Sequence, residues 1–114
     1  MTLTREEILA MEIGNELDIE IAVTVMGRER DKFRSGWIRL GDLSTYPKQY
    51  SKDISAAWDV LQKHKTHQVT YSETGFSHSE LKYRVIVGKN QNVAYADTAP
   101  EAICKASLLA VLNL

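Results

Sequence analysis

Apolar residues recur along this chain at two spacings, and these predict its elements. In "NELDIEIAVTVMG", Leu17, Ile21 and Val25 fall at i, i+4 and i+8 with Ala22 beside them, the stripe of one helix. In "YSKDISAAWDVLQKHK", Ile54, Trp58 and Leu61 fall at i, i+4 and i+7. This spacing predicts an amphipathic helix with Trp58 as its largest anchor. The spacing then shortens to two. "HQVTY" puts His67, Val69 and Tyr71 on one face. "LKYRVIV" sets Leu81, Tyr83, Val85 and Val87 against Lys82, Arg84 and Ile86, and "NVAYAD" sets Val93 and Tyr95 against Ala94 and Ala96. The links "SETGFSHSE" and "GKNQN" carry turn residues, so the three strands should form an antiparallel meander. Tyr71, Tyr83 and Tyr95 share faces with valines and are expected to pack in the core.

Boundary residues sharpen the helices. Thr4 and Glu7 form a capping box that opens a short first helix over "TREEILAM", and Gly14 ends or kinks it. Gly27 is placed to stop the second helix in the left-handed conformation. Ser51 or Asp53 can cap the middle helix. Thr98 and Glu101 form a second box, with Pro100 in the first turn of a terminal helix from Ala99 to about Leu112. From Ala106 to Leu114 only Ser107 and Asn113 are polar. That run is far short of the roughly 18–20 residues that span a bilayer. Small residues on one side and Ile103, Leu108, Leu109, Val111 and Leu112 around the rest predict a helix buried on both sides. Its second cover would be the N-terminal helices or another subunit, and the latter option predicts a homo-oligomer. Residues 28–49 follow neither period and read as a long loop or arm.

The expected fold is a single α+β domain over residues 1–114. It is an α/β/α layered sandwich: a three-stranded antiparallel meander packed by N-terminal helices, a middle helix and a C-terminal helix. Fourteen Lys and Arg against fifteen Asp and Glu give a net charge of −1, which argues against nonspecific nucleic-acid binding. The N-terminal stretch lacks signal-peptide features, and the single cysteine, Cys104, excludes an internal disulfide.

Candidate chemistry is sparse. Cys104 with His64, His67 or His78 has no nucleophile signature, and a cysteine on a small-residue helix face is expected to be packing. His64 and His67 lack a second ligand pair for zinc. Glu16 and Asp18, two apart on a helix, do not face each other and read as solvated acids. The residues predict no catalytic site, metal or cofactor. The arm is different. From Arg28 to Arg39 it holds five basic residues (Arg28, Arg30, Lys32, Arg34, Arg39) and two acidic ones (Glu29, Asp31), a balance of +3, with Phe33, Trp37 and Ile38 between them. Such a segment suits an anionic ligand: arginine forks match phosphate and Trp37 can stack on a base. The plainer reading is a solvated loop with Phe33 and Trp37 tucked into the core. Lys82 and Arg84, on one strand face, either stay exposed or rim a pocket.

Three blocks resemble a known family. "REEILAMEIGNELDIEIAVTVMG", "YSKDISAAWDVLQKH" and "AYADTAPEAICKASLLAVL" are similar to the signature segments of the phage ABA-sandwich domain family, small proteins of phages and prophages. The matching positions include Gly14, Leu17, Asp18, Ile21 and Gly27; Tyr50, Ser51, Asp53, Ala57 and Trp58; and Thr98, Pro100, Ile103, Cys104, Leu108 and Leu109. One departure is Arg28, which follows Gly27 where the family pattern often has Trp. The resemblance implies an α/β/α domain of a phage protein working in the host cytoplasm, and it carries no catalytic residues. With the basic arm, it suggests a non-enzymatic anti-defence protein that sequesters a nucleotide signal through Arg28, Arg30, Arg34, Trp37, Arg84 and Lys105. The alternative is a phage protein–protein interaction or morphogenesis accessory module.

Overall fold

In a computed structural model that describes residues 3–76 and 80–114, the elements follow in the expected order. Helix α1 (Arg5–Ala10) opens on the Thr4 box: Glu7 N–H donates to Thr4 Oγ1 at 3.1 Å, and Thr4 N–H donates to Glu7 Oε1 at 3.0 Å. Helix α2 (Asn15–Glu20) continues into a π-helical turn over Ile21–Val25. Leu17 and Ile21, four residues apart on one helical face, are both fully buried, whereas Val25, at the far end of the π turn, is only partly so. Gly27 ends the segment at φ 76°, and Arg28 N–H donates to Ala22 O at 2.8 Å, one residue wider than a Schellman bond.

The arm is not irregular. It forms a small antiparallel sheet of β1 (Glu29–Arg30), β2 (Ile38–Leu40) and β3 (Leu43–Thr45), with Gly41 at φ 63° in the tight turn. Strands of two and three residues are too short to show a period, so only pairing with neighbours reveals them. The second sheet is the expected meander: β4 (His67–Tyr71), β5 (Tyr83–Val87) and β6 (Asn92–Ala96) in that order. Val69 faces Val85, which faces Ala94. Part of the β4–β5 link, with His78, lies outside the described residues.

Helix α4 (Ala99–Val111) is the centre of the domain. Every residue from Ala102 to Leu109 is buried. One side lies on β5 and β6, where Val85, Val87, Ala94 and Ala96 are all nearly inaccessible. The other side is covered by α1, the π turn and α3 (Ile54–Leu61). The second cover of this helix is therefore the chain itself, which removes the terminal helix as a reason to expect a subunit partner. Ile103, Leu108 and Leu109 are each fully buried, worth roughly 1.5–3 kcal/mol apiece. The second capping box is half formed. Thr98 Oγ1 accepts from Glu101 N–H at 3.4 Å, but the Glu101 carboxylate turns to Lys105 instead of reaching back.

Helix α3 corrects the expected anchor. Asp53 caps it, accepting from Ser55 N–H at 2.8 Å, but the buried face is Ala56, Ala57, Val60 and Leu61. Trp58 is 46% exposed and Ile54 50%. The small residues of α4 draw α3 in closely, and only an alanine-rich face fits that approach. Tyr71 also departs from expectation: it is 55% exposed, because β4 is an edge strand that extends beyond the cover of α4.

Asp18 is the other correction. It is buried, not solvated, and accepts the Ser51 N–H at 2.8 Å. The Ser51 hydroxyl in turn accepts Gly14 N–H at 3.0 Å. This strap ties the start of α2 to the segment that leads into α3.

Candidate functional site

A cleft of about 550 Å³ lies between α1, α2 and the arm, with Glu7, Met11, Glu16, Ile19, Glu20 and Arg30 on its walls. Two ties hold the arm against it, and a third braces the arm internally. Asn15 Nδ2 donates to Gly36 O at 3.1 Å. A Cβ on Gly36 would sit 2.7 Å from Asn15 Oδ1, and its φ is 85°, so only glycine allows the approach. Arg30 forms an ion pair with Glu20. The third tie is within the arm. The Asp31 carboxylate accepts Phe33 N–H at 2.8 Å, Arg34 N–H at 3.1 Å and the Ser44 hydroxyl, pinning the loop after β1 to β3. The Ser44 bond, followed by the backbone donors, holds the Asp31 carboxyl below its ordinary range.

The arm displays an apolar and basic surface. Phe33 is 94% exposed, which corrects the expectation that it enters the core. Leu43 and Tyr46 are also well exposed. Trp37 is half-buried, with its ring 4.4 Å from that of Tyr46 and the Arg34 guanidinium 4.7 Å above it. Arginine stacking rigidifies the indole and occupies a face that a base would otherwise use.

The six residues proposed from sequence are not gathered at one place. Arg30, Arg34 and Trp37 lie on the arm, and Arg28 is exposed at its root, close enough to Tyr50 to offset part of the rise that burial imposes on that phenol. Lys105 is nearly inaccessible. Its ammonium donates to Leu9 O at 3.0 Å and to Glu101 Oε2 at 2.7 Å, a structural tie between α4 and α1. Arg84 projects from the sheet face opposite α4, with its guanidinium 5.0 Å from the Phe76 ring centre, and Phe76 in turn meets Tyr95 edge-on. The cleft beside the arm is predominantly acidic, since Glu7, Glu16 and Glu20 outnumber Arg30.

Cys104 is fully buried in α4. Burial, with Asp18 and Glu101 adding, pushes its thiol far above the range in which a thiolate forms at neutral pH. Burial, with His67 nearby, lowers His64 so that it is neutral at pH 7. Among the described residues no group of three or more His, Cys, Asp or Glu is placed to hold a metal. Likewise, no helix there is long and apolar enough to cross a membrane.

The order of strands and helices around α4 has a counterpart among solved structures. A phage protein from Bacillus cereus ATCC 14579, solved by crystallography at 2.0 Å, superposes with a TM-score of 0.74. It is 27% identical, over 92% of this chain and 91% of its own. The Phage ABA sandwich domain family matches residues 19–108. The chain belongs to the phage ABA sandwich domain family. No curated protein gives a match. The matched span runs from α2 to the last buried turn of α4 and takes in the arm.

Proposed function

We propose that this phage ABA sandwich protein is a non-enzymatic accessory factor that binds another protein through its arm. The observation that carries the reading is Phe33. It stands almost wholly in solvent on a loop held rigid by Asp31, while Asn15–Gly36 and Arg30–Glu20 fix the arm to the body. Ordering precedes contact here, so a partner that takes Phe33 into a pocket gains burial of roughly 1.5–3 kcal/mol with little conformational cost. Leu43 and Tyr46 are further exposed apolar side chains of the arm, and Lys32, Arg34 and Arg39 are exposed on it too. The fitting partner presents an apolar pocket with an acidic border.

A nucleotide ligand fits the geometry less well. Arg30 would have to leave Glu20, Lys105 would have to leave buried partners, and Arg84 serves a different surface. A photo-reactive phenylalanine analogue at position 33, expressed in cells carrying the phage, distinguishes the two. The expected result is one protein cross-linked at position 33, absent when the analogue stands at exposed Val111 and lost on Leu43→Ser. Identical patterns at 33 and 111 would refute the arm as a contact surface. Saturable heat with a cyclic nucleotide, abolished by Arg34→Ala and Trp37→Ala, would move the assignment to ligand binding.

A further inference from the structure

The meander has an open edge with unusual chemistry. Ser72 N–H donates to Lys82 O at 2.8 Å, and Gly88 N–H donates to Thr66 O at 2.9 Å. Backbone groups alternate sides along a strand, so Thr66, Gln68, Thr70 and Ser72 turn theirs toward β5. His67, Val69 and Tyr71 therefore turn N–H and C=O outward, where β4 has no neighbouring strand among the described residues. Edge strands are usually protected by lysine, proline, a bulge or a covering element. β4 has no charged residue, no proline and an unbroken register with β5. The opposite edge, β6, is half-buried or buried at every residue, whereas four of the five β4 residues are exposed.

We propose that β4 pairs with β4 of a second copy of this chain, antiparallel about a two-fold axis at Val69. The pattern is self-complementary. With Val69 opposite Val69, His67 of each copy faces Tyr71 of the other, and all three outward-turned residues meet outward-turned residues. Six hydrogen bonds close, and the two meanders become one six-stranded sheet. Side chains agree with this register. His67, Val69 and Tyr71 lie on the face shared with α4, where Val69 and Tyr71 are 37% and 55% exposed. Trp58 meets the His67 ring at 6.3 Å, and Ile54 lies one turn away on α3. The two-fold doubles this strip into an apolar seam over the joined sheet, and no like charges are brought together at its centre. An extended segment of a different protein would satisfy the backbone but would not bring a second Ile54–Trp58 strip to the seam.

Three measurements decide it. Sedimentation velocity over about 1 µM to 1 mM should show a monomer–dimer equilibrium. Val69→Pro removes an outward N–H and leaves the bonds to β5 intact. It should weaken the dimer at least tenfold, and Val69→Lys should do the same by placing two ammonium groups on the axis. The double variant Gln68→Cys/Thr70→Cys should yield a covalent dimer on mild oxidation, because position 68 of one copy then lies opposite position 70 of the other in a non-hydrogen-bonded pair, with Cα atoms roughly 4.5 Å apart and within disulfide range. Gln68→Cys alone should not. Hydrogen exchange on the unaltered protein gives a readout that needs no variant: the His67, Val69 and Tyr71 amides should gain protection with concentration. A monomer throughout the range, or a dimer unmoved by both folded Val69 variants, overturns the proposal.

Discussion

Replacing Asp18 with alanine tests the claim that a buried carboxylate, and not apolar packing alone, joins the N-terminal helices to α3. Asp18 is 4% exposed and Ser51 fully buried, and the bond between them is 2.8 Å long. Alanine takes away the acceptor and leaves the Ser51 N–H buried and unpaired. A hydrogen bond to a charged group is worth about 1.5–3 kcal/mol, and an orphaned buried donor costs a similar amount. The expected loss is therefore about 2–3 kcal/mol. For a domain of this length that lowers Tm by on the order of 8–15 °C. Asp18→Asn retains an oxygen that can accept the same N–H, so it should lose only about half as much.

Urea denaturation of the three proteins at pH 7 supplies the measurement, with the m-value as a control on two-state behaviour. A midpoint for Asp18→Ala within about 0.5 kcal/mol of the parent would refute the strap. Equal losses for alanine and asparagine would show that the charge matters and the acceptor geometry does not.

Other expectations follow from single residues. Trp58→Ser should cost under about 1 kcal/mol, whereas Leu61→Ala, from a fully buried side chain, should cost about 2–5 kcal/mol; denaturation midpoints compare them. Native Cys104 should resist alkylation at pH 7–8 and react only at the rate of unfolding, so labelling faster than unfolding would contradict its burial. Gly36→Ala should loosen the arm by about 1–3 kcal/mol locally, read as faster amide exchange at Phe33 and Trp37 with Tm nearly unchanged. Asp31 has a folded-state pKa below its unfolded value. The stability it lends the arm is therefore present above the unfolded pKa of about 3.9 and is lost as pH falls through the folded value. Trp37 fluorescence should follow that loss, and Asp31→Asn should remove the pH dependence.

What was legible from sequence was local. Capping residues, strand alternation and the small-residue face of the last helix depend on neighbours within a few positions, and the structure places them as the pattern implied, except that Glu101 turns to Lys105 and leaves the second box half formed. Trp58 and Asp18 depend on distant partners. Two helical faces of α3 share Leu61, one running through Trp58 and the other through Ala57. Only the closeness of α4 selects the second. Asp18 looks solvated until Ser51, thirty-three positions on, supplies a donor. The three arm strands were hidden because each is shorter than one repeat of any pattern. Among the residues proposed for a ligand, charge and aromatic content singled out the arm. They could not show that Lys105 is consumed by Glu101 and Leu9, or that Arg84 faces another surface.

The residues that carry the family resemblance are mostly structural. Asp18 and Ser51 make the strap, Gly27 ends the π turn, Thr98 caps α4, and Ile103, Cys104, Leu108 and Leu109 fill its contacts. The six buried ones, Asp18, Ser51, Ile103, Cys104, Leu108 and Leu109, are closed to a ligand. A signature of this kind specifies how the domain closes around α4 and leaves two surfaces free to differ: the arm, whose Phe33 loop hangs on Asp31, and the uncharged edge of β4. If the edge joins two copies, the two arms of one dimer become a bivalent pair. A partner with two matching pockets would then bind the dimer far more tightly than a monomer. Val69→Pro should therefore weaken capture of such a partner even though position 69 touches only the second copy. Phe33→Ala should abolish capture without changing the dimer. Equal capture by the parent and Val69→Pro would separate the two surfaces and leave each arm acting alone.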